Sequence, residues 1–283
     1  MMQVMTNRQK ADEARHSLKL VFLGSSGAIQ VPAFFCSCSI CEAARRDPKE
    51  QRTRASVAVI GQETVVIDAS PDMELQLERC RVQKVDRIFI THWHYDHVSG
   101  LGELGEAKSC AKWPPVEVYG TRAVAEHFEQ ELAHMKRVVN VHVVSPGDTV
   151  ELAGAVWEVV KTTHTEDSVG YIVRCPRSFA YLVDGVVPPP ETVERLKGLD
   201  LLVLEATLDE LDEDWTTFSL QGAVDFWRQT GVPECILTHL SCHSWRAGRL
   251  IAGLSATERR DYEKRTPGLR FAYDGMHLQL SAQ

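Results

Sequence analysis

Short apolar runs separated by polar or glycine-containing turns recur along this chain and predict a protein built largely from buried strands. Residues 18–23 end at a glycine-serine turn, which predicts a first strand, and residues 55–60 and 64–67 predict a hairpin across the short turn between them. Runs of the same kind recur along the chain, and the last of them includes His277. We expect the first strand and the hairpin to feed one sheet.

Helical periodicity appears between the predicted strands. Residues 121–137 carry apolar side chains every three or four positions with charged residues between them, which predicts an outer helix capped by Thr121. Residues 219–230 predict a second helix that stops before Gly231, and a third helix is expected to follow Pro190. Strands interspersed with helices indicate the α/β class.

The length and composition are those of a protein with a full hydrophobic core. The chain has 283 residues, 44% of them hydrophobic, and the wide spacing of the candidate ligands described below argues for one domain over residues 18–283. Residues 1–17 are polar and mostly lack periodicity, so we expect a disordered or irregular tail. No apolar run approaches the roughly 20 residues of a membrane span, and no secretory leader opens the chain.

The net charge of the chain narrows the range of partners. The sequence carries 39 acidic and 31 basic side chains, for a net charge of −8. This balance disfavours a protein whose affinity depends on neutralising many nucleic-acid phosphates. We therefore do not expect nucleic acid as a partner. No membrane partner is expected either, and the sequence leaves a homodimer open. The candidate metal ligands described below favour a small anionic substrate.

Three histidines and an aspartate fall within six residues directly after an apolar run that ends at Ile90. The segment His92-Trp93-His94-Tyr95-Asp96-His97 therefore follows the carboxyl end of a predicted strand, where open α/β sheets build their sites. Its nitrogen and oxygen donors exceed what one catalytic metal usually takes from the protein, because such sites keep a position open for water. The cluster indicates two neighbouring metals that share further ligands.

Residues that could complete such a site lie far along the chain, again at the ends of predicted strands. His164, Asp184 and His239 each follow a strand-like run. We expect these strand ends to converge on the histidine-rich segment.

With these residues the chain resembles the metallo-β-lactamase superfamily, whose signature is His-x-His-x-Asp-His followed by a distant His, a bridging Asp and a last His. The resemblance covers residues 18 to 280 and implies a four-layer αββα sandwich. It also implies that Asp96 and Asp184 are catalytic groups as well as ligands. The implied ligand sets are His92, His94 and His164 for one metal and Asp96, His97 and His239 for the other, with Asp184 shared by both.

A pair of metals explains why so many ligands are needed. Two divalent cations roughly 3.5 to 4 Å apart can hold a hydroxide between them and neutralise charge on an attacked phosphoryl or carbonyl oxygen. Zinc or manganese suits these donors, and so does iron. Asp68 and Glu205 also end strand-like runs, and we expect them to orient ligand histidines. A turn-capping role is the alternative for Glu205.

A cysteine cluster narrows the resemblance to one branch of the superfamily. Cys36, Cys38 and Cys41 offer three thiolates within six residues, whereas a closed zinc site needs four ligands. The branch contains the cyclic-phosphate phosphodiesterase of the carbon-phosphorus lyase pathway and protein B of pyrroloquinoline quinone biosynthesis. That phosphodiesterase completes a zinc site with a His three residues after its last catalytic His, where this chain has Cys242. We expect a structural zinc completed by Cys242, with His243 as the alternative ligand. Metal-type cysteine spacing also favours a reducing, cytoplasmic location.

The complete ligand set favours a metal-dependent hydrolase, specifically a phosphodiesterase that acts on a small phosphodiester or cyclic phosphate through a metal-bridging hydroxide. The alternatives are an iron-dependent oxidoreductase or oxygenase related to protein B, a hydrolase of another ester, lactone or lactam, and a metal-bearing binding protein without turnover. Thr217 stands where the family phosphodiesterase has a catalytic His. A threonine hydroxyl cannot shuttle protons near neutral pH, so this departure bears on the substrate.

Overall fold

The computed structural model describes residues 18–111, 114–207, 216–246 and 249–280. The predicted N-terminal tail, residues 1–17, lies outside the described residues. Two seven-stranded mixed sheets form the centre of the fold, and a two-stranded ribbon lies apart from them.

The first sheet contains the strand and hairpin expected from the sequence. Its strands run in the order β16-β1-β2-β3-β4-β5-β6, with β2 and β3 antiparallel and β3 to β6 parallel. The strands are β1 (Lys19–Gly24), β2 (Ser56–Ile60), β3 (Thr64–Ile67), β4 (Arg87–Phe89), β5 (Val116–Gly120), β6 (Val139–Val143) and β16 (His277–Gln279).

The second sheet has the order β15-β12-β11-β10-β9-β8-β7, in which β10, β11, β12 and β15 are parallel. Its strands are β7 (Thr149–Leu152), β8 (Ala155–Lys161), β9 (Val169–Arg174), β10 (Phe179–Leu182), β11 (Leu201–Glu205), β12 (Glu234–Thr238) and β15 (Leu269–Phe271); the ribbon is β13 (His243–Arg246) with β14 (Arg249–Ala252).

Helices cover the outer faces of the two sheets, which gives the four αββα layers predicted from the resemblance. The first sheet packs against α2 and the helices that follow it up to α5, and the second packs against α6 and α7. The helices are α1 (Ser39–Arg46), α2 (Met73–Arg79), α3 (Tyr95–Val98), α4 (Gly100–Ala111), α5 (Arg122–Glu131), α6 (Pro190–Leu196), α7 (Leu220–Thr230) and α8 (Ala256–Arg265), with 3-10 turns at Pro48–Glu50 and Ala133–Arg137.

Aromatic side chains hold the inner faces of the sheets together beneath the histidine-rich segment. Phe89, the last residue of β4, stacks on Trp157 of β8 with ring centroids 4.8 Å apart. Tyr171 of β9 donates a hydrogen bond from Oη to the Ile90 carbonyl across 2.5 Å. Because all these rings are fully buried, the end of β4 is fixed against the second sheet.

The predicted helices at 219–230 and after Pro190 are confirmed as α7 and α6, whereas the helix predicted over 121–137 is shorter than expected. It ends before Leu132, whose φ of −125° leaves the helical region, and a 3-10 turn follows. Thr121 occupies the N-cap position, but its hydroxyl makes no capping hydrogen bond. The apolar spacing persists across the break, which is why the sequence suggested one helix.

Among the described residues, none of the helices combines the length and apolar character needed to cross a bilayer. The cysteines whose side chains are described carry free thiols.

Candidate metal centre

The histidine-rich segment leaves β4 as a loop and then becomes a short helix. Ile90 and Thr91 continue from the strand, His92 and His94 lie on the loop, and α3 begins at Tyr95 and carries Asp96 and His97 in its single turn. The donors of the motif therefore come partly from a loop and partly from a helix. This change of backbone conformation lets side chains only one or two positions apart point into the same space.

The remaining ligand candidates come from the second sheet. His164 follows β8, Asp184 follows β10 and His239 directly follows β12. These strand ends meet the end of β4 at one edge of the sandwich, as the sequence predicted.

Asp184 belongs to two groups of donor atoms. Each group comprises four residues whose ligand atoms all lie within 4.8 Å of one another. The first contains His92, His94, His164 and Asp184, and the second contains Asp96, His97, Asp184 and His239. Every active-site residue expected from the sequence is therefore brought into this cluster, in the predicted grouping.

The distances around Asp184 define the centre of the cluster. Its Oδ2 atom lies 2.7 Å from Nε2 of His97 and 3.5 Å from Nε2 of His92. Its Oδ1 atom lies 3.2 Å from Nε2 of His239. One carboxylate thus contacts histidines of both groups, which is the arrangement required of a shared ligand.

Buried nitrogens without hydrogen bonds provide the test of whether a metal fits. Nε2 of His97 and Nε2 of His239 are both buried and make no hydrogen bond, although Asp184 oxygens lie close to each. Proximity to Asp184 therefore does not by itself satisfy these atoms. A buried nitrogen with no partner is costly. Imidazole and carboxylate donors aimed at one point fit a divalent zinc, manganese or iron ion.

Polar groups behind the histidines fix which ring nitrogen points inward. Asp68 is fully buried, and its Oδ2 lies 2.7 Å from Nδ1 of His97. Its carboxylate also accepts hydrogen bonds from the backbone N–H and hydroxyl of Thr91, and that hydroxyl is 3.0 Å from Nδ1 of His92. On the far side, Nδ1 of His164 is 3.2 Å from the Thr216 carbonyl.

Glu205 lies behind His239 but contacts it less directly. Its Oε2 is 3.6 Å from Nδ1 of His239 and accepts a 2.9 Å hydrogen bond from Thr207, whose hydroxyl lies 3.4 Å from the same nitrogen. The other carboxylate oxygen accepts the Gly185 backbone N–H. Glu205 thus connects His239 to the residue after Asp184, a position that fits an orienting role better than simple capping of its own turn.

Opposite charges in the cluster partly offset one another. Burial opposes protonation of His97, but the carboxylates of Asp68, Asp96 and Asp184 outweigh it and hold the pKa of His97 well above its usual range. The same opposition, led by Asp184, raises the pKa of His239 to about 9. Protons on these rings offset the buried carboxylates, and a divalent cation can take the place of those protons.

The backbone is strained at the ends of the strands that carry the site. Asp68, Asp184 and His239 have φ values of 65°, 50° and 58°, in the left-handed region that most residues avoid. Asp and His tolerate this region better than bulkier residues. Each of these residues turns the chain sharply at a strand end, which aims its side chain into the cluster rather than along the sheet.

The cysteines form a second group of possible ligands. The sulfurs of Cys36, Cys38, Cys41 and Cys242 all lie within 4.8 Å of one another. Burial opposes charge on Cys38, but the Cys41 backbone N–H and neighbouring side chains outweigh it and lower the pKa of the Cys38 thiol to about 6. His243 is also adjacent, with Nδ1 at 3.2 Å from the Cys242 sulfur and 3.5 Å from that of Cys36. Four sulfurs match a closed zinc site, and the choice of Cys242 over His243 stays a prediction.

One cleft of about 720 Å³ is lined by residues of the His/Asp cluster and by residues of the cysteine cluster. His94, Asp184 and His239 line one part of it, and Cys36 and Cys242 line another. A metal ligand cluster at the floor of such a cleft can reach a small molecule from solvent.

Sequence reasoning missed several residues in or beside the cleft. Thr207 forms the hydrogen bond behind His239, and Gly27 approaches the same ring so closely that an added Cβ would lie 3.3 Å from it. Ile29, Phe34 and Phe35 line the mouth of the cleft. No spacing rule identifies these residues, although two adjacent phenylalanines beside a metal-type cysteine motif are an unusual feature.

Comparison with known proteins gives one family match and several relatives. A family model described as the beta-lactamase superfamily domain matches residues 63–240. Coenzyme PQQ synthesis protein B from Methylobacterium radiotolerans is 28% identical over 255 residues, which covers 76% of this chain and 81% of that protein. An octanoyltransferase from Porphyromonas gingivalis is 26% identical over 236 residues, covering 80% of this chain and 46% of that protein. The chain therefore spans less than half the length of the octanoyltransferase.

A solved structure described as a new diphosphatase from the PhnP family is similar over almost the whole described chain. It superposes with a TM-score of 0.77 at 28% sequence identity and covers 92% of this chain and 97% of that one.

Proposed function

The chain belongs to the beta-lactamase superfamily, and on that premise we propose that it is a metal-dependent hydrolase that cleaves a small phosphodiester or cyclic phosphate. The observation that carries this proposal is the convergence of imidazole and carboxylate donors on Asp184 at the floor of an open cleft. The similarity to a structure described as a diphosphatase supports a phosphoryl substrate.

The two donor groups would hold two divalent metals. His92, His94 and His164 would bind one, Asp96, His97 and His239 the other, and Asp184 would contact both. When bound, such a pair lowers the pKa of a coordinated water and neutralises charge on an attacked phosphoryl oxygen. Zinc or manganese fits this role, and the donors also accept iron.

The protein's own residues supply orientation. Asp68 holds Nδ1 of His97 so that Nε2 faces the cluster, and Thr91 and the Thr216 carbonyl act in the same way on His92 and His164. Such outer contacts fix the tautomer and the direction of the ring, which keeps the ligand atoms converged.

Proton transfer to the departing alcohol is the step of the reaction that this site supports least. Thr217 lines the cleft, and its hydroxyl is buried without a hydrogen-bond partner. A hydroxyl can donate a hydrogen bond to a bound phosphate, but it cannot supply a proton near neutral pH. We therefore expect rapid cleavage only where the leaving group departs without a proton.

A pair of substrates tests the proposal. Methyl 4-nitrophenyl phosphate should be hydrolysed far faster than a ribose cyclic phosphate, and added zinc or manganese should restore activity after chelation. His164→Ala should abolish turnover, whereas the matched control His142→Ala, on the surface of β6, should keep it. No metal-dependent cleavage of the nitrophenyl ester would refute the proposal, and equal rates on both substrates would refute the role given to Thr217.

A second candidate function follows from the similarity to coenzyme PQQ synthesis protein B. In that case the same donors would hold iron and support oxidation. Metal analysis of protein produced without added metal, combined with an oxygen-consumption assay, separates this reaction from hydrolysis. Hydrolysis of another ester, a lactone or a lactam would use the same metal chemistry, and a panel of such substrates distinguishes it from phosphodiester cleavage.

A further inference from the structure

An apolar rim lies at the mouth of the cleft, on the segment between β1 and α1. Phe35 is 99% exposed, Phe34 is 69% exposed and Ile29 is 49% exposed, and all of them line the cleft that contains the metal centre. The two phenylalanine rings meet edge to face with centroids 5.4 Å apart. Contiguous exposed apolar groups mark binding surfaces, whereas single scattered apolar side chains do not.

The backbone that carries these rings is held in place. The Arg45 guanidinium of α1 donates hydrogen bonds to the Ala33 carbonyl at 3.1 Å and to the Cys36 carbonyl at 2.6 Å, which flank the two phenylalanines on either side. Cys36 also belongs to the sulfur cluster. The rings are therefore presented to the cleft by a fixed backbone and do not depend on a flexible loop.

Phe35 occupies this position at a cost. Its φ is 60°, in the left-handed region that L-residues with a side chain avoid. Its ring is almost fully exposed, so it recovers little of that cost by packing. Strained backbone conformations cluster at active sites and ligand-binding segments.

The charges of the cleft limit the rest of the substrate. Among the described residues that line it, none is a lysine or an arginine. The metal centre can neutralise one phosphodiester anion, but further phosphates or carboxylates on the substrate would meet no basic side chain in the described part of the cleft. The described part of the cleft therefore suits an uncharged group beside the phosphodiester.

We propose that the phosphodiester substrate carries an aromatic ring on one alcohol, and that this ring stacks on Phe35 and packs against Phe34 while the phosphate lies at the metal centre. This inference rests on the proposed function, because it assigns the second arm of the same substrate. An aryl alcohol and a nucleoside both supply such a ring.

Calorimetric titration of the metal-loaded protein tests the ring without requiring turnover. Four phosphate monoesters serve as probes: methyl phosphate, cyclohexyl phosphate, phenyl phosphate and thymidine 5′-phosphate. Phenyl phosphate or the thymidine ester should bind about tenfold more tightly than methyl phosphate, with cyclohexyl phosphate weaker than the better aromatic probe. The stronger of the two aromatic probes identifies the arm as aryl or nucleoside.

Variants of the rim provide the controls. Phe35→Asn and Phe34→Asn should each reduce the aromatic preference and leave the affinity for methyl phosphate unchanged. Leu75→Asn removes an exposed apolar side chain on α2, outside the cleft, and should change neither affinity. Equal binding of all four probes, equal binding of the cyclohexyl and aromatic probes, or a preference that survives both rim variants would overturn the proposal.

Sedimentation and a diester cleavage assay distinguish an aromatic subsite from a dimer interface and from a failure of the proposed function. If sedimentation shows a dimer that Phe35→Asn converts to a monomer while probe affinities stay the same, the rim is an interface between copies of the chain and the inference is wrong. Metal-dependent cleavage of diesters with no aromatic preference would refute the inference alone. An aromatic preference without any diester cleavage would refute the proposed function and leave the aromatic subsite standing.

Discussion

At the scale of single residues, the site depends on backbone conformations that are locally unfavourable. Asp68, Asp184, His239 and Phe35 all have positive φ values, and all lie in or beside the metal and cysteine clusters. The surrounding sheets hold the backbone of Asp68, Asp184 and His239 in this conformation. Each of them follows a buried strand either directly or after one further residue. Phe35 has no such support from its side chain, which makes its strain the easiest to measure.

Phe35→Asn should raise the free energy of unfolding by about 1 kcal/mol, because asparagine adopts positive φ at lower cost and the exposed ring gives up only its edge-to-face contact with Phe34. Phe34→Asn, a neighbour without positive φ, should give no such gain. Denaturant unfolding with metal present measures both. A Phe35→Asn protein that is less stable than the Phe34→Asn protein would show that the Phe35 ring contributes to folding after all.

Asp68→Asn should weaken metal binding by roughly 10- to 100-fold, since an amide cannot accept all of the hydrogen bonds that Asp68 receives from Thr91 and His97. Competition with a chelator of known affinity gives the value. The control is Asp86→Asn, which removes a carboxylate that accepts the Thr64 N–H at the opposite end of the same strands. It should lower stability slightly and leave metal affinity unchanged; a similar loss of affinity in both variants would contradict the role of Asp68.

At the scale of elements, the segment between β1 and α1 connects the two ligand clusters. Ser26 donates a hydrogen bond to the Leu240 carbonyl at 3.3 Å, and the Ser25 carbonyl accepts the Leu240 N–H at 2.9 Å. The same segment continues to Cys36 and then into α1, which carries Cys41. The segment therefore lies against the turn that follows β12, and this turn carries both His239 and Cys242.

Gly27 of this segment lies close to the His239 ring. A Cβ added there would lie 2.6 Å from the Ser241 hydroxyl and 3.3 Å from the His239 ring. Gly27→Ala should therefore displace the ring and reduce metal affinity by roughly tenfold, by analogy with lost orienting contacts. Gly102→Ala, in α4 with open space around the added Cβ, should keep that affinity and raise stability by roughly 0.5–1 kcal/mol. Unchanged metal binding in Gly27→Ala would show that the segment does not constrain His239.

The cysteine cluster should contribute to folding through one zinc ion. Cys38→Ser and Cys242→Ser should each lower bound zinc by about one equivalent and reduce thermal stability, because structural zinc contributes directly to the free energy of folding. His243→Ala should retain the zinc, and Cys80→Ser, outside the cluster, should behave like the wild type. Loss of zinc in His243→Ala but not in Cys242→Ser would assign the fourth ligand to the histidine.

At the scale of the whole molecule, the site is formed where the ends of strands from the two sheets meet. The motif after β4 and Asp68 after β3 come from the first sheet, whereas His164, Asp184 and His239 come from the second. Neither sheet alone presents a complete donor group, since each group in the structure draws on both. A bound metal would therefore link the two halves of the sandwich.

Clustered donors at the ends of predicted strands indicated from the sequence that these residues would converge, whereas the αββα layers and the two donor groups followed from the resemblance to the superfamily. It could not predict the break at Leu132, where backbone geometry changed while the apolar spacing continued. Nor could it place Thr207, Gly27 or the Phe34–Phe35 rim, because their roles depend on contacts between segments distant in sequence. Positive φ at Asp184 and His239 likewise follows from packing and has no sequence signal of its own.

Metal counting on Asp184→Ala tests the central claim, that one carboxylate joins two metal sites, more directly than any other measurement. The wild-type protein should bind about three equivalents of metal, two at the shared centre and one among the cysteines. Asp184→Ala should keep its circular dichroism spectrum and the cysteine-bound zinc, but lose at least one metal from the shared centre together with turnover of the nitrophenyl diester. Retention of every metal with near-normal turnover would contradict the account.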